Sequence, residues 1–311
     1  MISYLTVRLA RIIALTFVLV SLLFGIFRLV PGNPALLYGG LDATPAGLTA
    51  IERELGLNQP VWKQLLTYWS HLLSGHAGLS TMYNQDALTV VLAHLGPTVV
   101  LLVVSIGLAL AIGLPAGLVS GLRPGSHYDV TASGATVLLL SIPNFWLGLV
   151  LVGLLSVQWH LLPVVGATTP GAVILPAVTL AARIAAVFAR MTRASVLDVI
   201  HTHYVRTARA KGMSAQRVVL RHVIPNALTT VLTVVGAEVG YLLGGSIVVE
   251  VLFAWPGLGL TLINAINGRD YSLVQTITVF YVLGFLLINL MTDLLYTVID
   301  PRIRLGGPTS T

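Results

Sequence analysis

The chain has 311 residues, of which 56% are hydrophobic and only 9% are charged. A soluble domain carries about 25% charged residues, so this composition excludes an ordinary water-soluble protein, and it is far too apolar for a disordered chain. The absence of cysteine excludes disulfides, thiolate metal sites and a cysteine nucleophile. The composition indicates an integral membrane protein, in which the net charge of +6 is a topology signal rather than a sign of nucleic-acid binding.

Six stretches are apolar over about 20 residues, which is the length that crosses a bilayer. In chain order they are Ile12–Val30, Thr98–Gly121, Ser133–Val157, Val173–Thr192, Ala227–Val249 and Val274–Val298. The first is expected to be a retained helix rather than a cleaved signal peptide, because its apolar run is long and no small-residue cleavage pattern follows it. Pro115, Pro143 and Pro176 predict kinks within the second, third and fourth spans. The sequence therefore predicts an all-α, polytopic membrane protein with six transmembrane helices.

The basic residues predict the orientation of these spans. With the N-terminus in the cytoplasm, twelve of the 17 lysines and arginines fall on the cytoplasmic side. An excess of basic residues in cytoplasmic loops is the usual topology signal, and an even number of spans returns the chain to its starting side. We therefore expect both the N- and C-termini to be cytoplasmic.

The long outer segment, residues 31–97, contains one stretch with helical periodicity. Apolar residues recur at helical spacing over Val61–Leu73, which predicts an amphipathic helix along the membrane surface. This helix either caps the outer ends of the spans or contacts the transported solute.

The inner segment, residues 194–226, is strongly basic and predicts a helical hairpin. Val196, Ile200, Tyr204 and Ala208 recur every four residues, which predicts one apolar face on the first helix, and Gly212 marks the turn. The hairpin is either a basic face held near anionic lipid or a docking element for a cytoplasmic partner.

Arg183, Glu238 and Asp293 are charged residues that fall inside predicted spans and away from the span ends, and a charge costs roughly 2.5 kcal/mol or more at a helix centre. Arg183 can pair with Glu238 or with Asp293, and Tyr241 lies one turn from Glu238 on the same side of its helix. These groups either form a structural ion pair or line the route of a solute, which makes Glu238 and Tyr241 candidate translocation-path residues. Glu250 is expected at the outer membrane interface.

Two rows of glycines at four-residue intervals predict close helix–helix contacts. They are Gly113, Gly117 and Gly121 in the second span, and Gly236, Gly240 and Gly244 in the fifth.

The sequence carries no strong signature of catalysis or metal binding. It contains neither His-Glu-x-x-His nor Gly-x-Ser-x-Gly, and neither Lys63 nor Lys211 follows a glycine as a P-loop lysine does. His201-Thr-His203 is a weak metal motif on an expected solvated helix. We therefore predict a protein that is not an enzyme, with no catalytic residue, metal site or cofactor of its own.

The inner hairpin resembles the EAA loop of ABC-importer permeases. Tyr204-Val-Arg-Thr-Ala-Arg-Ala-Lys-Gly212 is followed, after nine residues, by His222-Val-Ile-Pro225-Asn226. Arg206 stands where the general motif has glutamate, and this departure is similar to the dipeptide/oligopeptide/nickel permease branch. The resemblance implies that the hairpin couples to an ATPase. The residues implied in ATPase coupling are Tyr204, Arg206, Ala208, Arg209, Lys211, Gly212, His222 and Pro225.

Three further stretches resemble the same branch, and all four motifs occur in the branch's order over nearly the whole chain. Pro31-Gly-Asn-Pro34 with Leu55–Pro60 resembles its first outer loop, and Asp293–Arg304 resembles its C-terminal end. The segment before the last span resembles its second outer loop. The motif positions of that segment are Glu250, Phe253, Pro256, Gly257 and Gly259.

The resemblance implies a type I ABC-importer permease fold and a domain organisation. The first transmembrane helix and long external loop would occupy residues 1–93, a core with the coupling hairpin 194–226 would occupy 94–297, and a cytoplasmic tail would occupy 298–311.

The resemblance also implies partners and a location. It implies a second homologous permease subunit, two cytoplasmic ABC ATPase subunits that bind ATP and Mg²⁺, an extracytoplasmic solute-binding protein and the lipids of the bacterial inner (plasma) membrane. Peptide import is the implied function, although a dipeptide, a longer peptide, a nickel chelate or a glutathione-like compound would each fit. A gradient-driven secondary transporter or channel is the alternative, for which we find no convincing repeat, and a membrane enzyme is a second alternative with a poor residue inventory.

Overall fold

The structure is a computed structural model, and it describes residues 2–29, 44–54, 56–163, 166 and 170–299. Almost all of the regular structure is helical, as the sequence predicts. The helices are α1 (Ile2–Leu29), α2 (Pro45–Glu54), α3 (Val61–Leu73), α4 (Ala87–Leu122), α5 (His127–Ser141), α6 (Asn144–Leu151), α7 (Ile174–Ile200), α8 (His203–Ala210), α9 (Ala215–Val218), α10 (Ile224–Leu252), α11 (Leu258–Asn267) and α12 (Tyr271–Ile299). Shorter elements are the strands β1 (Leu79–Ser80) and β2 (Gln85–Asp86), the π-helical turns Val152–Gln158 and Val219–Val223, and the 3₁₀ turn Pro170–Val173.

Five of the described helices are long and apolar enough to cross a membrane, and a bent pair makes a sixth. The five stretches are Arg8–Phe27, Ala87–Leu122, Gly171–Ile200, Val235–Leu252 and Tyr271–Thr292. The all-α, six-span prediction is therefore confirmed, with one correction. The third predicted span is two helices, α5 and α6, that meet at an angle of 106°.

The break in the third span lies at Ile142-Pro143, where a kink was predicted. Proline lacks the N–H that would continue the helix, and it forces the preceding residue into an extended conformation. Ile142 accordingly has φ −87° and ψ 127°. Pro115 and Pro176 do not interrupt their helices. Pro176 lies in the first turn of α7, where a missing N–H leaves no hydrogen bond unmade.

The described residues form two compact units. The first unit comprises the described parts of 1–98 and 256–286. In this unit α3 packs along α1: the Phe17 and Trp69 rings stack at 5.1 Å, and Trp69 Nε1 donates a hydrogen bond of 3.2 Å to Ser21 Oγ. The helical part of the prediction for Val61–Leu73 is confirmed, while its placement on the membrane surface stays a prediction.

Asp270 is the main polar anchor of the first unit, and it was not predicted. Its buried carboxylate accepts hydrogen bonds from Ser80 Oγ at 2.5 Å, from Met82 N–H at 3.1 Å and from Leu273 N–H at 3.1 Å. The residue therefore ties the β1–β2 hairpin to the first turn of α12.

The second unit comprises residues 99–255 and the described part of 287–311, and α7 runs through its core. Of the α7 span, 72% is buried, against 28% of the α4 span and 33% of the α10 span. The first glycine row faces α7, as predicted: a β-carbon at Gly113 would lie 2.6 Å from the carbonyl oxygen of Ala185, and one at Gly117 would collide with Ala189. The missing side chains let the two backbones approach.

The second glycine row is only partly confirmed. A β-carbon at Gly236 would collide with Thr292 of α12, so this position requires glycine. At Gly244 nothing among the described residues of this chain lies within 4 Å of such an atom, so the predicted close contact is not formed there within the chain.

Candidate functional site

The inner hairpin begins where α7 ends at Ile200. A turn at His201-Thr202 leads into α8, which is closed at its C-terminus by Gly212 at φ +78°. Gly212 N–H bonds to the Arg209 carbonyl at 2.9 Å, and Met213 N–H bonds to the Ala208 carbonyl at 3.2 Å. These two bonds define a Schellman motif, whose left-handed position glycine fills without strain. The predicted helix, glycine turn and second helix are thus present.

The buried face of the hairpin differs from the prediction. Val205 and Ala208 are buried in a cluster with Val196 of α7, whereas Tyr204 is 44% exposed. The prediction assumed one continuous helix, but the turn at His201-Thr202 restarts the helix in a different register. Tyr204 consequently turns outward.

The remaining predicted coupling residues lie in different environments. Arg206, Arg209, Lys211, Gly212 and Pro225 are exposed, His222 is half-buried, and Ala208 packs inward. The hairpin thus combines a basic outer surface with an apolar inner surface that contacts Val196 at the end of α7 and Ala227 at the start of α10.

An ion pair joins α7 to α10 in the second unit. The Arg183 NH1 group donates a hydrogen bond of 2.9 Å to Glu238 Oε2, and the guanidinium carbon lies 4.0 Å from the centre of the Tyr241 ring. The pairing of Arg183 with Glu238 was one of two open predictions and is confirmed. The Asp293 side chain lies outside the described part of the structure. Arg183 therefore brings together the two candidate path residues, Glu238 and Tyr241.

A cavity of about 430 Å³ lies beside this ion pair, at the break between α5 and α6. Arg183 and Tyr241 form part of its wall, and Ser141, Pro143 and Asn144 of the break form another part. Non-helical backbone at membrane depth requires burial or a water-filled cavity, because lipid cannot satisfy its polar groups. The broken helix, the charged pair and the cavity therefore lie together at one site, whose wall combines apolar side chains with Arg183, Ser141 and Asn144.

The outer-loop motif is distributed over both units, and four of its five positions are buried. In the second unit, Glu250 and Phe253 lie at the C-terminal end of α10 with 0% and 2% of their surface exposed. Glu250 lies within α10, which continues to Leu252, rather than at the start of the outer loop, and its expected position at the membrane interface stays a prediction. In the first unit, Gly257 and Gly259 are buried at the start of α11, and Pro256 is half-buried.

A second ion pair on α7 was missed by sequence analysis. Arg193 Nε donates to Asp129 Oδ1 at 2.6 Å, and Arg193 NH2 donates to Asp129 Oδ2 at 2.9 Å. Asp129 also accepts hydrogen bonds from the Ser120 hydroxyl and from Gly125 N–H at 2.9 Å. Ser126-His-Tyr-Asp129 has the spacing of a helix capping box, which is the local signal for the start of α5. The spacing does not indicate the contact with Arg193, 64 residues away.

The described residues contain no cluster of candidate metal ligands. Among them, no group of three or more His, Asp or Glu side chains lies close enough to hold a metal ion. His203 is an exposed residue at the start of α8. The geometry thus consists of a charged, cavity-lining site between membrane helices and a basic helical hairpin, which are features of a membrane transport subunit.

The class defined by this fold and site is a permease of an ABC importer. The chain belongs to the family described as binding-protein-dependent transport system inner membrane component: residues 113–305 match its model, and residues 1–87 match the model of the corresponding N-terminal region. Within that family it is a member of the dipeptide/oligopeptide branch. It is therefore a multi-pass protein of the bacterial inner membrane, and a transport component that works with ATPases and a solute-binding protein rather than an enzyme.

Relatives align over nearly the whole chain. The chain is 39% identical over 304 residues to the glutathione transport system permease protein of Escherichia coli strain K12, covering 98% of this chain and 99% of that protein. The protein of the same name from Pectobacterium atrosepticum is 40% identical over the same coverage.

Solved structures establish the type I permease fold. The MetNI methionine ABC transporter in an inward-facing conformation aligns with a TM-score of 0.59 at 22% identity, over 68% of this chain and 97% of that chain. An amino acid ABC transporter crystallised with histidines aligns with a TM-score of 0.56 at 19% identity, over 68% and 94%.

Proposed function

We propose that this chain is one of two homologous permease subunits of an ATP-driven importer for peptides. In this proposal an external solute-binding protein delivers the peptide, and two cytoplasmic ATPase subunits bind ATP and Mg²⁺. The relatives named for glutathione support the peptide class, because glutathione is itself a small peptide.

The observation that carries the coupling role is the packing of the hairpin. Val205 and Ala208 of α8 pack in one buried cluster with Val196 of α7 and Ala227 of α10. Displacement of α8 therefore pushes on the ends of the two helices that hold Arg183 and Glu238. Arg183 is 13 residues from Val196, or about 20 Å along a helix. A well-packed helix transmits such a displacement as a rigid body.

The Gly212 turn supports the same role. Its two hydrogen bonds and left-handed backbone hold α8 at one angle to α9. A displacement of α8 is therefore passed on to α9 rather than lost in a flexible loop. The exposed basic side chains Arg206, Arg209 and Lys211 supply the contact surface for the ATPase, together with Tyr204 and the neighbouring His222 and Pro225.

The translocation path is proposed to run beside α7 and α10. Its lining includes Tyr241 and the Arg183–Glu238 pair, next to the cavity at the broken third span. The proposed organisation has residues 1–93 as first helix and external loop, 94–297 as transmembrane core with the hairpin 194–226, and 298–311 as cytoplasmic tail.

Transport in proteoliposomes tests the proposal. We expect ATP-dependent uptake of a dipeptide when the chain is assembled with its partner permease, ATPases and binding protein. The substitution Arg206→Glu should reduce ATPase association and uptake by about tenfold, because it reverses a charge on the docking surface. Arg123→Glu, at another exposed arginine predicted on the cytoplasmic side, is the matched control and should leave both unchanged.

The gradient-driven alternative predicts the opposite result. Uptake by this chain alone, driven by an ion gradient without ATPase subunits, would contradict the proposal.

Cysteine labelling tests the proposed orientation. The native chain contains no cysteine, so all maleimide labelling of this chain comes from the single introduced cysteine. We expect Lys211→Cys to react with a membrane-impermeant maleimide only when the reagent reaches the cytoplasmic face, as in inside-out vesicles. Thr67→Cys in α3 is the matched outer position and should react in intact cells treated to permeabilise only the outer membrane. Reaction of the cysteine at position 211 in intact cells would place the hairpin outside and contradict ATPase coupling.

A further inference from the structure

We infer that Arg183 and Glu238 bind the two charged ends of a zwitterionic solute, with the solute carboxylate on Arg183 and its ammonium on Glu238. The inference rests on the proposed function, since it states how the proposed path would recognise a peptide. Four observations carry it: the hydrogen bonding of the pair, its charge balance, the cavity beside it and the ring that holds Arg183.

The hydrogen bonding of the pair leaves donors and acceptors available. An arginine has five N–H donors, and within the described residues Arg183 uses one of them, from NH1 to a single oxygen of Glu238. The strong form of an arginine–carboxylate contact is a bidentate one, with two parallel hydrogen bonds. Arg183 can therefore gain hydrogen bonds when a solute carboxylate replaces Glu238 in the bidentate geometry.

Charge balance selects the chemical class of the solute. An anion that displaced Glu238 from Arg183 would leave the Glu238 carboxylate without a cation, and a cation bound to Glu238 would do the same to Arg183. An unpaired charge at membrane depth is costly. A zwitterion avoids this cost, because two ion pairs replace one while the net charge of the site stays at zero.

The cavity has room and polar groups for such a solute. Its volume of about 430 Å³ lies within the roughly 300–1,000 Å³ of small-molecule sites. Arg183 forms part of the wall, and the side chains of Ser141 and Asn144 at the helix break offer hydrogen bonds to peptide amide groups. The Glu238 side chain is 15% exposed, so it is not sealed off from an arriving ammonium group.

Tyr241 keeps Arg183 in place during the exchange. The guanidinium carbon lies 4.0 Å from the ring centre, within the range of a cation–π contact. Because this contact does not use the N–H donors, it persists when Glu238 turns from Arg183 to the solute.

Uptake of three probes by the complete importer tests the inference. The probes are dialanine, dialanine C-terminal amide and N-acetyl-dialanine, each supplied at a concentration that loads the binding protein to the same degree by calorimetry. Preference for the free carboxylate is the uptake ratio of dialanine to its amide, and preference for the free ammonium is its ratio to the acetylated form. Comparing each ratio between variants and wild type cancels the selectivity of the unchanged binding protein.

The two variants should have separate effects. Arg183→Gln should reduce the carboxylate preference by about tenfold, since it removes a charge-assisted hydrogen-bond donor. Glu238→Gln should reduce the ammonium preference by a similar factor while keeping or raising the carboxylate preference. Asp129→Asn, in the other ion pair on α7, is the control and should leave both ratios unchanged even if total uptake falls.

The outcomes separate the inference from the proposed function. Absence of ATP-dependent dialanine uptake by the wild-type importer would overturn the proposed function. If the wild-type importer takes up dialanine but Arg183→Gln and Glu238→Gln reduce uptake of all three probes equally, the inference alone is overturned. The pair would then be a structural ion pair between α7 and α10. Because Glu238→Gln is nearly isosteric, it tests the inference even where Arg183→Gln fails to assemble.

Discussion

Two arginines on α7 form ion pairs that differ in their number of hydrogen bonds. Arg193 binds Asp129 through two hydrogen bonds, and Asp129 accepts further bonds from Ser120 and Gly125. Arg183, ten residues or about 15 Å earlier on the same helix, binds Glu238 through one hydrogen bond beside a cavity. The Asp129 carboxylate is saturated with partners within the chain, whereas the Glu238 carboxylate has a single hydrogen bond from Arg183 and keeps capacity for more.

The difference shows which part of α7 is fixed and which part can change partners. Asp129 lies in the first turn of α5, where the helix dipole also favours a negative charge, and Arg193 lies one turn from the α7 residues that meet Gly117 and Gly121. The C-terminal part of α7 is thus held in place by contacts with both α4 and α5. At Arg183 the pair can exchange partners, as a solute-binding site requires.

Thermal unfolding of detergent-solubilised protein should separate the two pairs most clearly. We expect Arg193→Gln to lower the midpoint of unfolding by on the order of 5–10 °C, because it leaves the buried Asp129 carboxylate without its bidentate partner. Glu238→Gln should lower the midpoint by less, since the amide oxygen can still accept the Arg183 hydrogen bond and the Arg183 side chain is 27% exposed.

Comparison of the two variants controls for the general cost of removing a charge from α7 or its neighbours. Equal losses of stability, or a larger loss in Glu238→Gln, would contradict the assignment of Arg193–Asp129 as the structural pair.

Sequence reasoning succeeded where the signal is local or periodic. The spans follow from apolar length, the Val61–Leu73 helix from its periodicity, and the Gly212 turn from a residue that tolerates positive φ. The family followed from ordered motifs. The glycine row facing α7 was predictable as a contact because small residues at four-residue spacing share one helix face.

Sequence reasoning failed where the outcome depends on which elements meet. Asp270 binds Ser80 across 190 residues, and nothing in either local sequence indicates that partner. Tyr204 was assigned to the buried face on the assumption of one continuous helix, whereas a two-residue turn changes the helical register before it. For Arg183 two partners were possible on charge alone, and the packing of α7 against α10 selected Glu238.

A small loss of stability is expected when the Tyr241 ring is removed. The ring contacts Arg183, whereas Arg193 has no equivalent ring contact among the described residues. Tyr241→Leu removes the cation–π contact and should cost about 0.5–1 kcal/mol, whereas Tyr241→Phe retains the ring and should cost little. In a Glu238→Gln background the loss from Tyr241→Leu should grow, because the ring is then the remaining strong contact of Arg183 within the described residues. Chemical denaturation of the wild type, Tyr241→Leu, Glu238→Gln and the double variant forms a double-mutant cycle that measures this coupling. If Tyr241→Leu cost no more than Tyr241→Phe in either background, the ring would not hold Arg183, and the exchange of partners at that site would lack this contact.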